Sequence, residues 1–470
     1  MLLQCAITLP FIGNVNLSGT ILVVFLVCLL CVCAFEFVNG FHDTANAVAT
    51  VIYTNTLKPY AAILWSGLWN FLGVFVIGTA VAMSLLKLIP IDKLITLPVQ
   101  TGACLVIAIL LASIIWNLGT WYIGLPLSSS HTLVGAMIGA GLGFSYYYGG
   151  GLNWDKAKDI GLSLLISPVV GFAGAALLMY IVKHLVRTDK LFHAPQNDSD
   201  KPPIAIRALL ITTCTLVSFF HGSNDGQKGV GLLMLVLIAF LPATFAFNPK
   251  MDTGKLTALL KNTEYILQHL PARSSDQQSK IIRLKKQLDQ VQQQIVNKNA
   301  LSVQQKFRFR EQFKTFTATL KSLTPQQAGA DGMHERLTAN IKELEKATDY
   351  APVWVLATIS LSLGLGTMIG WKRIVVTIGE RIGNEHLNYA EGASAELTTA
   401  ATIGISTALG LPVSTTHVLS GGIAGTMMAS KGAKNLNYST VKHIVMAWVL
   451  TVPAAIILSF LLFVSMHLLL

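Results

Sequence analysis

Long apolar stretches, each about the length of a membrane-crossing helix, recur along this chain between short polar turns. The clearest cover residues 19–38, 61–86, 103–122, 161–182, 204–221, 229–247, 351–371 and 441–466. About 20 helical residues cross roughly 30 Å of hydrocarbon, so each run predicts a spanning helix. No pattern of short alternating strands of the porin kind is seen, which leaves helices as the spanning elements. The first run lacks a basic region before it and a small-residue cleavage site after it. It is therefore expected to remain as a span rather than to be removed as a signal peptide.

One stretch, 249–349, breaks the pattern. Ile281, Leu284, Leu288, Val291 and Ile295 are spaced 3, 4, 3 and 4 apart within Gln- and Lys-rich surroundings, and Leu337, Ile341 and Leu344 repeat the pattern later. That stripe predicts a solvated helical hairpin or small bundle and is too short for a long coiled coil. The stretch holds 17 of the 34 Lys and Arg and 10 of the 23 acids, a net of +7 out of the chain's +11. Basic charge placed so fits solvated surface and cytoplasmic loops, and argues against a nucleic-acid partner. The Lys- and Arg-rich loops 183–207 and 372–384 are the better cytoplasmic candidates. Six cysteines, three of them clustered at Cys28, Cys31 and Cys33, show no metal or disulfide spacing and are read as packing residues.

The chain also repeats itself. Gly40-Phe41-His42-Asp43-Thr44-Ala45-Asn46-Ala47 is followed by Leu125-Pro126-Leu127-Ser128-Ser129-Ser130-His131. Gly222-Ser223-Asn224-Asp225-Gly226-Gln227-Lys228-Gly229 is followed by Leu411-Pro412-Val413-Ser414-Thr415-Thr416-His417. Asp43 and His131 lie 88 positions apart, Asp225 and His417 lie 192 apart, and the difference of 104 nearly matches the 101 residues of 249–349. The expected organisation is a first transmembrane repeat over 1–190, the start of a second over 204–248, a polar helical insertion over 249–349 and the rest of the second repeat over 350–470. Duplicated halves that build one site at their interface are typical of secondary transporters.

Buried charge is costly in hydrocarbon, so the polar residues inside the runs are the candidates for chemistry. Glu36, Asp43 and Asp225 are read as the acids lying deep in apolar surroundings, and all three are candidates for carrying a coupling ion or proton. Glycines and Asn around Asp43 and Asp225 suggest unwound spans. Lys228 is the basic side chain well inside an apolar run. It is placed to pair with Asp225 three residues back, or to meet an anionic substrate. The hydroxyls of Ser128, Ser129, Ser130, Ser414, Thr415 and Thr416 follow a proline and open Gly-rich helices. Two helix N-termini carrying such hydroxyls would cradle a tetrahedral oxyanion, with Asn46, Gln227 and Lys228 as further donors. His131 and His417 close these motifs and either relay protons or hold the loops by hydrogen bonds. Enzyme readings fail: there is no phosphate loop of the Walker kind and no His-Glu-x-x-His. Ser130-His131 is an adjacent, duplicated pair unsuited to an intramembrane protease. No cofactor is expected.

Several segments resemble the PiT family of inorganic phosphate transporters, in particular its bacterial low-affinity Pit branch. They are GFHDTANAVATVIYT (40–54), WNLGTWYIGLPLSSSHTLVGA (116–136), HGSNDGQKGVGLLMLVLI (221–238), APVW (351–354), GTMIGWKR (366–373) and LPVSTTHVLSGGIAGTM (411–427). The resemblance implies an all-α polytopic membrane protein with two inverted repeats, broken or re-entrant helices and a soluble helical insertion. It implies symport of inorganic phosphate, and of neutral metal–phosphate complexes, across the bacterial inner membrane, driven by protons. Asp43 and Asp225 would then meet a metal only as part of that substrate. Phosphate, protons, co-transported divalent metal ions and the lipid bilayer are the expected partners, and a homo-oligomer is compatible. His42 and Lys228 depart from the broader family's G-x-N-D-x-x-N pattern. A fixed ammonium at Lys228 can fill a sodium position, which favours protons. Sodium-coupled phosphate or sulfate carriage stays open as an alternative, with an anion channel behind it.

Overall fold

The computed structural model describes residues 4–9, 11–76, 78–195, 200–248, 250–270, 275–296, 301–323 and 332–469. A short antiparallel hairpin of β1 (Gln4–Leu9) and β2 (Gly13–Ser18) pairs Gln4 with Ser18. The remaining regular elements described are helices. The first repeat contains α1 (Gly19–Tyr53), α2 (Pro59–Val76), α3 (Ala80–Leu86), α4 (Ile91–Leu94), α5 (Val99–Tyr122), α6 (Ser129–Tyr148) and α7 (Trp154–Leu185). Next come α8 (Ile204–Phe240), α9 (Pro242–Phe245), α10 (Thr253–His269), α11 (Ser275–Val296), α12 (Val303–Lys321) and α13 (Gly332–Glu345). The chain closes with α14 (Val353–Thr367), α15 (Lys372–Glu380), α16 (Tyr389–Ala408), α17 (Thr415–Lys431) and α18 (Tyr438–Leu468). Among the described residues six helices are long and apolar enough to span a membrane, or seven if α14 and α15, bent by 66° at their junction, count as one.

The described parts of 1–91, 100–236 and 352–470 form one compact unit. Inside it the helix registers show that the repeats are inverted. Trp65 Nε1–H donates to Thr215 Oγ1 (2.7 Å), Ser218 Oγ–H donates to Ser66 Oγ (3.0 Å), and Gly222 packs against the carbonyl of Asn70. Residue numbers rise together along this contact, so α8 runs parallel to α2. Yet α2 returns from α1 across the short turn 54–58, so α8 runs opposite to its counterpart α1. The same holds at the other end. Gly135, Gly139 and Gly143 of α6 meet Val452, Ile456 and Phe463 of α18, again in rising order, while Gly421 and Gly425 of α17 meet Pro168 and Phe172 of α7. Each of these pairs joins one repeat to the other. Gly-x-x-x-Gly spacing lets the backbones touch, the means by which apolar helices associate where no water drives them together.

Two readings of the sequence are corrected here. The Asp motifs are not unwound: α1 and α8 are continuous through them, so 204–221 and 229–247 form a single helix up to Phe240. Their glycines serve close approach instead. A Cβ on Gly40 would lie 2.6 Å from the backbone of Gly366, and one on Gly222 would lie 2.1 Å from the Asn70 carbonyl. In hydrocarbon an intact helix also satisfies its own amides, which favours continuity over unwinding. Conversely, the runs 61–86 and 351–371 are each divided, at the α2–α3 and α14–α15 junctions.

The second unit comprises 92–99 and 237–351; residues 249, 271–274, 297–300 and 324–331 of the expected insertion lie outside the described residues. Ile281, Leu284, Leu288, Val291 and Ile295 are buried along α11, against a core that includes Leu256, Leu260, Phe313, Phe316 and Leu337. Arg310, itself buried, donates to the carbonyls of Phe245 (3.1 Å), Ala246 (2.8 Å) and Thr348 (2.9 Å), and so ties the two ends of the unit together. Tyr350 adds a bond to the Phe247 carbonyl (3.1 Å).

Candidate transport site

The site forms where α1 and α8, running opposite ways, meet the N-termini of α6 and α17. Each of the latter begins just after its Leu-Pro motif. Ser128 and Ser414 take extended backbone angles as N-caps, and their hydroxyls accept from the amides of His131 and His417, both at 3.2 Å. Capping leaves the first-turn amides of Ser129, Ser130, Thr415 and Thr416 without intrahelical acceptors, at the positive end of each helix.

Asp43 reaches across from α1 to α17. Its Oδ1 accepts from Thr416 Oγ1 (2.7 Å), Asn46 Nδ2 (2.8 Å) and, more weakly, Thr415 Oγ1 (3.4 Å). Asn46 also donates to both threonine hydroxyls, at 3.2 and 3.0 Å. The second repeat makes the matching link differently. Lys228 Nζ donates to Asp225 Oδ2 (2.5 Å) and to Ser130 Oγ (2.7 Å), and Ser130 Oγ–H donates to the Val413 carbonyl (3.0 Å). So an amide in one repeat and an ammonium in the other connect a carboxylate to a helix N-terminus.

A residue the sequence reading missed joins the two halves. His221 Nε2 lies 3.4 Å from Asp43 Oδ2 and 3.5 Å from Asp225 Oδ2, while its Nδ1 meets Asn70 Oδ1 at 2.8 Å. The signal was present: His221 precedes Asp225 by four residues, one turn of the same helix. Because Nδ1–H donates to the Asn70 carbonyl oxygen, a neutral His221 would turn a bare lone pair toward two carboxylates. A proton on Nε2, or a cation shared by the three groups, resolves that clash. One ligand atom from each of Asp43, His221 and Asp225 lies within 4.8 Å of the others. Asp43, His221 and Asp225 are each 1% exposed and Lys228 is 0% exposed, so this arrangement is closed to both sides.

The other expected residues are placed less centrally. Gln227 turns away: its Oε1 accepts from the amides of Val81 (2.8 Å) and Ala82 (3.4 Å), and its amide donates to the Ser223 carbonyl, so it anchors α3 rather than facing the cradle. Glu36 accepts from Asn39 Nδ2 (3.3 Å) and lies against Gly229, next to Lys228. His131 and His417 pack against each other across the repeats, tilted by 38° with ring centroids 4.4 Å apart, and His417 also packs on Trp448. Ser129 is buried, with no partner for its hydroxyl among the described residues. Asn224 and His42, which precede the two aspartates, both act as tethers. Asn224 holds the Leu411 carbonyl (3.2 Å) and Val413 amide (3.3 Å), and His42 holds the Asn117 carbonyl (2.7 Å).

Glu36, Asp43 and Asp225 are not alone as deep acids, which corrects the sequence reading. Glu396 of α16 is fully buried and accepts from Thr50 and from Thr213 (2.5 Å) on the two Asp-bearing helices. Glu391 is buried too, in a capping box with Asn388 at the start of α16.

The profile of the phosphate transporter family matches residues 39–459. This chain belongs to the phosphate transporter family. The transporter is similar to the low-affinity inorganic phosphate transporter PitA of Escherichia coli (strain K12), 39% identical over 469 residues, covering 90% of this chain and 93% of that one. PitB of the same strain is 38% identical over 493 residues, with 96% and 97% covered. The low-affinity inorganic phosphate transporter of Buchnera aphidicola subsp. Acyrthosiphon pisum (strain APS) is 37% identical over 460 residues, with 90% and 93% covered. A solved structure titled "The sodium-dependent phosphate transporter" shares the fold at a TM-score of 0.56 and 21% identity, covering 95% of this chain and all of that one. The chain is therefore a multi-pass membrane transporter and not an enzyme.

Proposed function

We propose that this transporter carries inorganic phosphate inward across the bacterial inner membrane in symport with protons, and accepts phosphate also as a metal complex. The observation that carries the reading is the competition for donors in the buried cluster. Thr415, Thr416 and Asn46, the donors best placed to hold a phosphate oxygen, are engaged by Asp43. Ser130 is likewise engaged by Lys228. Phosphate, a dianion, is repelled by two carboxylates and finds its donors taken.

Neutralising Asp43 removes both obstacles at once. A proton, or the metal ion of a metal–phosphate complex held by Asp43, His221 and Asp225, removes the negative charge and weakens Asp43 as an acceptor. The hydroxyls and first-turn amides then turn to the substrate. Substrate and cation thus bind well only together, which is the requirement for coupling. His221 lies against both aspartates and, when no metal is present, is placed to pass the proton to Asp43. Lys228 supplies a fixed positive charge where another carrier would need an alkali cation. Closure on both sides means that access requires packed helix pairs, α6 with α18 and α7 with α17, to move against the rest of the site.

The test is Asp43→Asn in reconstituted full-length protein. The amide keeps the shape and one acceptor oxygen but cannot gain and lose a proton, so concentrative phosphate uptake should vanish while the protein still inserts. Full uptake in that variant at all pH values would remove Asp43 from the mechanism. Competition by sulfate in the wild type separates phosphate carriage from general oxyanion carriage.

A further inference from the structure

The end of α5 meets the bend between α14 and α15 at a basic surface apart from the central cluster. There an open cavity of about 530 Å³ is lined by Lys372, Arg373 and Arg381 together with Trp121, Tyr122 and Trp371. None of the described side chains lining it is acidic. Arg373 is committed to structure: Nη1 donates to the Tyr122 carbonyl (2.5 Å), and the guanidinium lies 5.2 Å from both the Trp121 and Tyr122 rings. Lys372 and Arg381 are exposed. The nine-residue α15 also begins here, and its N-cap, Trp371, makes no side-chain cap bond, so first-turn amides add to the positive field.

The surroundings say what kind of surface this is. Asn55, in the turn after α1, donates to the carbonyl of Asp200 (3.3 Å), and Tyr53 packs on Gly379 of α15. The α1–α2 turn, the Lys- and Arg-rich loop 183–207 and α15 therefore share one face. Concentrated Lys and Arg beside Trp and Tyr is the composition that the charge and aromatic-belt rules place at a membrane–water interface on the cytoplasmic side, the leaflet rich in anionic lipid. The cavity is also wired to the central site. Trp121 Nε1–H donates to the Gly370 carbonyl in the bend (2.7 Å), and its ring lies 5.4 Å from that of Phe41, two residues before Asp43.

We infer that this cavity binds a phosphoryl anion at the membrane surface, delivered either as the headgroup of an anionic phospholipid or as free inorganic phosphate. Lys372 and Arg381 are the recognising cations, Arg373 and Trp121 shape the wall, and an occupant bears on the α14–α15 bend. The inference rests on this cavity and does not depend on the transport reading.

The test is the intrinsic tryptophan fluorescence of purified full-length protein in non-ionic detergent, since Trp121 and Trp371 line the cavity. It is titrated with phosphatidylglycerol, with phosphatidylcholine and with inorganic phosphate, for the wild type and for Lys372→Gln combined with Arg381→Gln. Neither residue belongs to the central cluster. If lipid is the occupant, phosphatidylglycerol gives a saturable change that phosphatidylcholine does not, and the double variant needs about tenfold more of it, the low end of what charged clefts confer. If free phosphate is the occupant, that shift appears in the phosphate titration instead. Responses that are the same in wild type and variant for both ligands would overturn the proposal. Phosphate uptake by the wild type, measured in parallel, reports on the transport reading separately.

Discussion

Replacing Lys228 with Met tests how the charge in the central cluster is balanced. The substitution removes the ammonium but keeps most of the stem's volume, so packing is little disturbed. In the native protein Nζ sits 2.5 Å from Asp225 Oδ2 and 2.7 Å from Ser130 Oγ, with Lys228 0% exposed and Asp225 1% exposed. Removing one partner of such a pair leaves an uncompensated buried charge, a loss of about 3–5 kcal/mol. Asp225→Asn alone should cost a similar amount, because it strands the ammonium. The double variant buries no orphaned charge from this pair, so its cost should fall short of the sum of the singles by about 3 kcal/mol, near the upper end for residues in direct contact. Unfolding of the purified protein in detergent, followed for all four members of the cycle, measures this coupling. Strict additivity would mean that Lys228 and Asp225 do not neutralise each other, and the account of a built-in cation would be wrong.

Three further outcomes follow from the same geometry. His221→Asn, which installs the residue that the first repeat carries at Asn39, should reduce phosphate uptake about a hundredfold, the low end of what a positioned proton-transfer group contributes, while the protein still reaches the membrane; unchanged uptake would remove His221 from the coupling site. Gly222→Ala should be nearly as damaging: its Cβ would start 2.1 Å from the Asn70 carbonyl against 3.4 Å for an ordinary contact, so α2 and α8 must part by about 1.3 Å, and displacements of about 1 Å at a reacting centre cost about a hundredfold. In the second unit, burial pushes the Tyr350 hydroxyl up to about 12 from an ordinary value of 10.0. The unfolded chain therefore ionises Tyr350 first, so the unit should lose stability as pH rises from about 10 to about 12, and Tyr350→Phe should flatten that slope in alkaline unfolding curves.

How much of this was legible in the sequence depended on whether a residue's role is local or reached through a neighbour. The hydroxyl caps at Ser128 and Ser414, the i, i+3 pairing of Lys228 with Asp225 and the stripe from Ile281 to Ile295 are local, and the spacing revealed them. The glycines misled because their purpose lies on another helix. Nothing near Gly222 in the sequence says that the Asn70 carbonyl will press against it, so freedom to bend looked more natural than contact. Gln227 was assigned to substrate for a similar reason, since the amides of α3 that it holds are some 146 positions away. His221 was passed over as the end of an apolar run. Glu396 was missed because its helix is rich in Ala, Gly and Thr and did not register as a hydrophobic run, although it packs between α1 and α8. Inversion of the repeats was implied only by resemblance; in the structure it follows from the parallel registers of α2 with α8 and of α6 with α18.

The central claim is that protons, not sodium, release the Asp43-held donors to phosphate while Lys228 stands in for a fixed cation. Phosphate uptake into proteoliposomes, with pH and sodium gradients imposed separately, tests it most directly. The account predicts accumulation driven by an inward proton gradient in the absence of sodium. A strict requirement for sodium, with no response to the proton gradient, would contradict it.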